Sequence, residues 1–96
     1  MICRVFGRKD CKLALAVAKA ENSRHICNLE VNEPNSTISY GVFQINSIHI
    51  LNKASVAELK TCLGNIRVAK MIYDRQGHFE SWSAYTNKRY LKFYEN

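Results

Sequence analysis

Glu21 is the carboxylate whose position in the sequence favours acid catalysis. It ends the segment "LALAVAKAE" (13–21), in which nearly all the other side chains are apolar. Apolar surroundings disfavour the ionised form of a carboxyl group, so they raise its pKa towards a value useful to a general acid. The alternative is an exposed residue in the last turn of a helix, where a negative charge is common although slightly unfavourable. The segment around Glu21 alone favours the exposed residue, so the choice between the two interpretations depends on other parts of the sequence.

The stretch "STISYGVFQIN" (36–46) supplies the other polar groups of interest. Its alternation predicts one strand with Tyr40 and Gln44 on one face and Ser39 and Gly41 on the other. A glycine inside a strand indicates a bulge or the close approach of a ligand or another backbone. Gly41 and the amide of Gln44 are unexpected in a strand that serves only a core, so they indicate a binding role.

Helical signals surround this strand. Asp10 predicts the N-cap of a helix that starts at Cys11 and ends near "ENSRH" (21–25). The segment 28–37 is rich in Asn and contains the only proline, which predicts a loop. A short helical turn is predicted over 47–51.

The second half of the chain predicts three more helical segments. Ser55 and Glu58 form a capping box at the start of a short helix. Asn65 predicts the N-cap of the next helix and Gly77 its C-terminal end. A further helical stretch begins at Ser81. These elements together predict a mainly α fold with one short β element.

The composition is that of a small globular protein with a basic surface. The chain has 96 residues and a formal net charge of +6, so residues 1–96 are predicted to form a single domain. A positive surface attracts polyanions such as nucleic acid, anionic lipid or an anionic cell-wall polymer. Because the sequence contains no zinc-finger spacing, no RNA-binding signature and no long basic block, no nucleic-acid partner is expected.

The sequence predicts neither membrane insertion nor a signal peptide. No stretch approaches the roughly 18 to 20 apolar residues that a membrane-spanning helix needs. The first residues, "MICRVFGRKDCK", are interrupted by Arg4, Arg8 and Lys9. They therefore lack the continuous apolar segment of a signal peptide.

The four cysteines are Cys3, Cys11, Cys27 and Cys62. No two of them form a CxxC pair, which argues against a thioredoxin motif or a ribbon-type zinc site. Two alternatives stay open: disulfides in one of three connectivities, or buried free thiols. The three histidines have no metal-binding spacing, so no metal and no other cofactor is predicted.

Four segments, in the right order, resemble the lysozyme superfamily and in particular its lytic transglycosylase and goose-type branch. Glu21 followed by "NS" resembles the family's helix that ends in a catalytic Glu, commonly followed by Ser. "GVFQIN" (41–46) is similar to the family's "GLMQ" or "GLFQIN" strand. "GNIRVAKMIYDRQG" (64–77) resembles the helix that begins with an Asn, and "WSAYTNKRY" (82–90) resembles the "AYN" segment. The resemblance runs from about Cys11 to the end of the chain. It implies an α+β lysozyme-like fold, a helical domain with one short β element lining a cleft.

The resemblance also implies an activity, that of a peptidoglycan lytic transglycosylase. Such an enzyme cleaves the β-1,4 bond between N-acetylmuramic acid and N-acetylglucosamine. Glu21 is then the sole catalytic acid and protonates the glycosidic oxygen. It next acts as base on the muramoyl C6 hydroxyl, which closes a 1,6-anhydro ring, while the substrate's N-acetyl group is the internal nucleophile. The substrate contacts that the resemblance implies are Gln44, Tyr85, Ser39, Asn46 and Tyr40.

One position distinguishes this chain from the animal-type lysozymes. Their motif at the strand is "STDYG", whose Asp is the second carboxylate, and Ser39 stands at that position here. This departure favours the mechanism with one carboxylate. Glu30 and Glu33 in the preceding loop are alternatives that could hold a water for an inverting hydrolysis. Solvated loop charges are the simpler interpretation of both.

Two other functions remain open beside the transglycosylase. One is a hydrolytic muramidase on the same fold. The other is a non-catalytic cell-wall-binding protein, against which the presence of Glu21 argues. The enzyme is expected to act as a monomer on peptidoglycan glycan strands at the bacterial cell wall, in a periplasmic, extracellular or phage-associated setting.

Overall fold

A computed structural model describes residues 1–49 and 55–94 of the chain. The helices are α1 (Ile2–Phe6), α2 (Arg8–Glu21), α3 (Val56–Leu59), α4 (Cys62–Gln76), α5 (Ser83–Thr86) and α6 (Leu91–Tyr94), and the strands are β1 (Glu30–Asn32), β2 (Ile38–Tyr40) and β3 (Ile45–Asn46). The predicted mainly α fold with a small β element is confirmed. The helical turn predicted over 47–51 is present as a 3-10 helix at Ser47–His49, and its positions 50 and 51 lie outside the described residues.

Helix α2 begins earlier than the sequence predicts. It starts at Arg8, directly after Gly7, whose φ of 86° turns the chain out of α1. Asp10 lies inside the first turn, where its Oδ1 accepts a hydrogen bond of 3.1 Å from the hydroxyl of Tyr73. The N-cap prediction for Asp10 is wrong because the glycine separates the two helices and the carboxylate serves a tertiary contact. From this start the helix delivers Glu21 as its last residue.

The stretch 36–46 is two short strands and a turn, so the prediction of one continuous strand is wrong. The chain reverses after β2 through Gly41 and Gln44, whose φ angles are 70° and 49°. Strand β3 then returns antiparallel to β2, with Ser39 opposite Asn46. An apolar alternation cannot reveal a left-handed backbone conformation inside it, although the glycine permits one.

Strand β1 lies within the segment 28–37, which the sequence predicts to be a loop. It pairs antiparallel with β2 and completes the sheet order β1-β2-β3. All three of its residues are exposed, so no buried face imposes an apolar pattern on them. The β element is therefore a three-stranded sheet rather than a single strand.

Helix α4 begins at Cys62 rather than at the predicted Asn65. Its N-cap is Thr61, whose Oγ1 accepts a hydrogen bond of 3.1 Å from a backbone N–H of the first turn. Two other helix signals are confirmed. Ser55 caps α3 through its side chain, and Gly77 ends α4 in a left-handed conformation.

Asn65 instead anchors the turn between β2 and β3. Its side chain is fully buried, and its Nδ2 donates to the carbonyl oxygens of Tyr40 at 2.7 Å and Leu59 at 2.8 Å. Its Oδ1 accepts from the N–H of Phe43 at 2.8 Å. A Cβ at position 41 would lie 2.5 Å from Nδ2 of Asn65 and 2.7 Å from the carbonyl oxygen of Leu59. The close approach predicted at Gly41 is therefore made by protein atoms.

An aromatic cluster joins the helices to this turn. The ring centroid of Phe43 lies 5.5 Å from that of Phe6 and 6.3 Å from that of Phe79. Tyr73 on α4 lies 4.6 Å from Phe79, and Nε1 of Trp82 donates to the carbonyl of Phe43 at 2.7 Å. Aromatic pairs of this kind contribute about 0.5–1.5 kcal/mol each beyond the area they bury. Phe43 therefore joins the β2–β3 turn to α1 and to the segment between α4 and α5.

The four cysteines form two disulfides, so the alternative of free thiols is wrong. Cys3–Cys11 joins α1 to α2, and Cys27–Cys62 joins the segment after α2 to the start of α4. Both cross-links restrict the unfolded chain and so favour the folded state. The second holds the region that follows Glu21 against the helix that anchors the β2–β3 turn.

Candidate active site

A cavity of about 430 Å³ lies where the end of α2, the sheet and the segment before α5 meet. Its lining combines two carboxylates with amides, hydroxyls and apolar side chains. The residues that line it are Glu21, Glu33, Pro34, Asn35, Ser39, Gln44, Ile45, Asn46, Ile72, Ser81, Trp82 and Ser83. A few placed polar groups on an apolar wall are typical of a ligand site, and Glu21 gives this one an acid.

Glu21 is held by one hydrogen bond and one ion pair, both at the same carboxylate oxygen. The backbone N–H of Ala84 donates to Oε1 at 3.1 Å, and Nη2 of Arg89 lies 3.5 Å from Oε1. The side chain is only 12% exposed. Both contacts are made to Oε1, and Glu21 lines the cavity.

Burial raises the pKa of Glu21 above its ordinary value of 4.5, because the ionised carboxylate loses hydration in the cavity wall. The hydrogen bond from Ala84 and the positive charge of Arg89 lower this pKa, and the negative charge of Glu33 raises it. Burial is the largest of these effects, so the net direction is upward. A carboxyl group of this kind keeps its proton to a higher pH and can serve as a general acid.

Arg89 is tethered beside Glu21 by its own neighbours. Its Nε donates to Oδ1 of Asn87 at 3.2 Å, and its Nη2 donates to Oγ of Ser83 at 3.1 Å. Lys88, between Asn87 and Arg89, has a φ of 67° and so turns the chain sharply at this point. The guanidinium is half-exposed, so its attraction for Glu21 is partly screened by water.

Asn22 fixes the end of α2 relative to the sheet. Its side chain is buried, and its Nδ2 donates to the carbonyl oxygen of Gly41 at 3.1 Å and to that of Ile26 at 2.7 Å. Its Oδ1 accepts from the N–H of Ile26 at 3.1 Å. The residue next to Glu21 thus joins the end of the helix to the β2–β3 turn.

Ser39 and Asn46 present their side chains together in the cavity wall. They are cross-strand partners in the β2–β3 pair, and Nδ2 of Asn46 lies 3.4 Å from Oγ of Ser39. The same Nδ2 donates to Oγ1 of Thr37 at 2.8 Å. The strand pairing thus places the Ser39 hydroxyl beside the Asn46 amide, and hydrogen bonds hold that amide in place.

Gln44 lines the cavity from the turn. Its φ of 49° is uncommon for a residue with a side chain, and its Nε2 donates to the carbonyl oxygen of Gly41 at 2.9 Å. The amide is thus held by the backbone of its own turn, and its Oε1 remains as an acceptor. Backbone strain of this kind concentrates at functional sites.

A family model described as "Lysozyme like domain" matches residues 5–84. The chain belongs to this family. The resemblance that the sequence motifs indicate is confirmed, and membership supports action on peptidoglycan, and thus on the cell wall, at the level of the superfamily. A comparison with curated proteins gave no match. Within the described part of this lysozyme-like domain, no helix has both the length and the apolar character needed to cross a membrane.

Of the two loop carboxylates considered from the sequence, the lysozyme-like domain brings one to the site. Glu33 lines the cavity together with Glu21 and raises its pKa through charge repulsion. Glu30 lies on β1, where one of its carboxylate oxygens is 3.1 Å from Nζ of Lys60. Glu33 is therefore a candidate second carboxylate, and Glu30 is an exposed partner of a lysine.

Two predicted contact residues do not line the cavity. Tyr40 is buried in the core on the far side of β2 from Ser39, because successive side chains of a strand point to opposite faces. Tyr85 is half-buried, and its ring packs on that of Tyr90 at 5.0 Å between centroids. Its neighbour Ala84 makes the contact with Glu21, through the backbone.

Sequence motifs miss several groups that complete the site of the lysozyme-like domain. The N–H of Ala84 is a backbone donor, so its residue type carries no signal. Arg89 gives a weak signal, as a basic residue at a turn near the end of the "WSAYTNKRY" segment. Asn22 and Asn65 belong to motifs that the sequence does show, but their anchoring roles depend on contacts with residues distant in sequence.

One group in the described residues has the composition of a metal site. Candidate ligand atoms of His25, Cys27 and Cys62 lie within 4.8 Å of one another. The two cysteine sulfurs are bonded to each other, whereas a metal is bound by free thiolates. In this oxidised form the group does not offer a metal ion its usual ligands.

Proposed function

We propose that this protein is a lytic transglycosylase that cleaves the β-1,4 bond between N-acetylmuramic acid and N-acetylglucosamine, with Glu21 as its only catalytic carboxyl group. The observation that carries the proposal is the environment of Glu21. Its Oε1 is held by Ala84 and Arg89 while the burial of the side chain raises its pKa. Oε2 then carries the proton that is given to the glycosidic oxygen.

The proposed reaction has two steps. In the first, the carbonyl oxygen of the substrate's N-acetyl group bonds to C1 of the muramoyl sugar as the C1–O4 bond breaks, and Glu21 gives its proton to the departing oxygen. In the second, the ionised Glu21 takes the proton of the C6 hydroxyl, whose oxygen bonds to C1 and releases the N-acetyl group. Glu21 is thereby protonated again, and the product carries a 1,6-anhydro ring.

The substrate contacts proposed for the cavity follow from its lining. Oε1 of Gln44 accepts from a sugar hydroxyl or from the N–H of an N-acetyl group. Ser39 and Asn46 form a neighbouring pair of polar groups on the same wall. Tyr85 acts at a distance, by packing on Tyr90 and keeping the segment that carries Ala84 in place. Tyr40 has no proposed substrate contact.

A second candidate function is hydrolysis by the same site, and the position of Glu33 favours it. An inverting glycosidase uses a second carboxylate as base for a water molecule and needs about 6.5–9.5 Å between the two carboxyl groups. Glu33 lines the cavity that contains Glu21. The substitution Glu33→Gln separates the two reactions, since it abolishes a hydrolysis that needs this base and leaves transglycosylation largely intact.

The substitution Glu21→Gln tests the proposed function itself. We expect it to abolish the lysis of peptidoglycan and to preserve binding, because glutamine has nearly the same shape and its Oε1 can still accept from Ala84. Glu80→Gln, a change of the same kind at an exposed residue outside the cavity, is the matched control and should keep full activity. Unchanged lysis by Glu21→Gln would remove Glu21 from the mechanism. Absence of lysis by the wild-type protein would favour the non-catalytic wall-binding alternative.

A further inference from the structure

A second cavity, of about 370 Å³, shares no lining residue with the first. Its main wall is one row of α2, in which Lys12, Leu15, Ala16 and Lys19 follow one another at the spacing of a single helix face. Residues of α1, of α6 and of the segment after α2 complete it. The helix that delivers Glu21 to the first cavity therefore presents a different face to the second.

The charged side chains that are described at this second cavity have one sign. Lys12 and Lys19 line it, and none of the described residues in its lining is acidic. No ion pair joins either lysine to a carboxylate within residues 1–49 and 55–94. The two acidic residues of α2 are engaged elsewhere, since Asp10 contacts Tyr73 and Glu21 lines the first cavity.

Aromatic rings of α6 contact both ammonium groups. Nζ of Lys12 lies 4.7 Å from the ring centroid of Tyr94, and Nζ of Lys19 lies 5.8 Å from that of Phe93. Attraction between a cation and a ring face leaves the ammonium donors available to an anion. Both ammonium groups thus lie beside rings of α6, and no carboxylate of residues 1–49 or 55–94 forms an ion pair with either of them.

The spacing of the two lysines favours a chain with repeated anionic groups. Seven residues of helix separate them, which is about 10 Å along the helix axis, more than one small anion spans. An ammonium is a compact charge suited to phosphate, whereas planar recognition of carboxylates favours arginine. No described lining residue is an arginine, and Leu15 and Phe93 supply apolar surface for carbon segments between phosphates.

We propose that this second cavity binds a phosphodiester polymer of the bacterial envelope, with its phosphates at Lys12 and Lys19. The bound polymer holds the domain on the wall while the first cavity acts on the glycan. The biological setting of this inference rests on the proposed function. The binding itself does not, because it is measured without catalysis.

The test measures binding of synthetic poly(glycerol phosphate) to the double variant Lys12→Gln/Lys19→Gln. Each lysine close to a phosphate surface contributes a factor of roughly five in affinity, so the loss of both should weaken binding about 25-fold. The salt dependence of binding should fall by about two counterions. Both lysines are exposed, so the variant should melt at the temperature of the wild type.

The matched control is Arg67→Gln/Arg75→Gln, which removes the same net charge from exposed positions on α4 that line neither cavity. We expect it to weaken binding by less than about threefold, through long-range charge alone. An equal loss in both double variants would overturn the proposed site and leave only general attraction between charges.

Two further probes identify the source of the anionic groups. The wild type should bind poly(glycerol phosphate) more tightly than polyglutamate of equal charge, and more tightly than vesicles of phosphatidylglycerol, which carry the same phosphate and glycerol groups on a surface. Polyglutamate binding of equal strength would overturn the assignment to phosphate. Tighter binding to vesicles that depends on Lys12 and Lys19 would replace the polymer with a lipid surface.

Catalysis gives a readout that separates this inference from the proposed function. The variant Lys12→Gln/Lys19→Gln should release fragments at the wild-type rate from peptidoglycan stripped of phosphate polymers. From intact walls it should release them more slowly than the wild type does. Equal rates for the variant and the wild type on intact walls would contradict the proposal that the bound polymer holds the domain on the wall. If the wild type cleaves neither substrate, the proposed function fails, while the binding measurements still decide the site.

Discussion

The backbone N–H of Ala84 donates a hydrogen bond of 3.1 Å to Oε1 of Glu21, which lies 63 residues earlier in the chain. This bond joins the end of α2 to the start of α5 and fixes one oxygen of the carboxyl group. Arg89 approaches the same oxygen. The proposed mechanism therefore places the transferred proton on Oε2, and the environment of Glu21 leads to the first two predictions.

Removal of Arg89 should change the pH dependence of activity. Its positive charge lowers the pKa of Glu21, so Arg89→Gln should raise that pKa further. A general acid works only while it is protonated, so the alkaline limb of kcat/KM should move to higher pH. A pH profile measured on soluble glycan fragments checks this. Arg67→Gln, at an exposed position on α4, should leave the limb in place, and a limb unmoved by Arg89→Gln would contradict the contact.

The substitution Glu21→Gln should stabilise the protein near neutral pH while it abolishes activity. Burial raises the pKa of Glu21 in the folded state, so the folded protein holds this proton more tightly than the unfolded chain does. The favourable contribution of protonated Glu21 is present below its ordinary pKa and is lost as the pH rises through the folded-state value. The gain in melting temperature of the variant should therefore grow with pH. A variant that is less stable than the wild type at pH 7 would contradict this prediction. It would show that the contacts of ionised Glu21 with Ala84 and Arg89 outweigh its loss of hydration.

The mainly α class and the position of the catalytic candidate could be predicted from local patterns. An apolar helix that ends in Glu21 is visible in the letters, as are the caps at Ser55 and Gly77. Two of the wrong predictions share one physical cause. Asp10 and Asn65 have the residue types of helix caps, but the fold uses them for contacts distant in sequence, and tertiary contacts of this kind leave no periodic signal.

Gly41 should be much less tolerant of alanine than Gly7. Both have a positive φ, which costs a residue with a Cβ on the order of 1–3 kcal/mol. A Cβ at Gly7 meets no atom within 4 Å, whereas one at Gly41 collides with Asn65 and Leu59. We expect Gly7→Ala to lower the free energy of unfolding by about 1–3 kcal/mol, and Gly41→Ala to lower it by a further amount of about 1–3 kcal/mol because of the collision. Urea unfolding of both variants checks this, and equal losses would argue against the close packing of the turn.

The two disulfides should differ in their contribution to stability. Their cysteines are 8 and 35 residues apart, so the loop-entropy relation gives about 2.5 kcal/mol for Cys3–Cys11 and about 4 kcal/mol for Cys27–Cys62. Unfolding of Cys3→Ser/Cys11→Ser and Cys27→Ser/Cys62→Ser, each with the other bond intact, measures the difference. The variant Cys27→Ser/Cys62→Ser should also have reduced activity, because the disulfide it lacks holds the segment that follows Glu21. A larger loss of stability in the first pair would show that strain or local packing outweighs loop entropy.

The site itself was only partly predictable. Glu21, Gln44, Ser39 and Asn46 line one cavity, and the motif that contains three of them is contiguous in the sequence. The interpretation of that motif as a continuous strand was wrong, because the turn at Gly41 depends on Asn65. The donors to Glu21 come from a segment more than 60 residues away, one as a backbone N–H and one as a half-exposed arginine. Their residue types do not single them out.

The central claim is that Glu21 acts without a second catalytic carboxylate, and product analysis tests it most directly. Purified peptidoglycan is digested with the wild type, with Glu33→Gln and with Glu21→Gln, and the muropeptides are weighed by mass spectrometry. Anhydro products lack one water relative to hydrolytic products. The account predicts anhydro ends from the wild type and from Glu33→Gln, and no products from Glu21→Gln. Wild-type products that all carry reducing ends, and that disappear in Glu33→Gln, would contradict it.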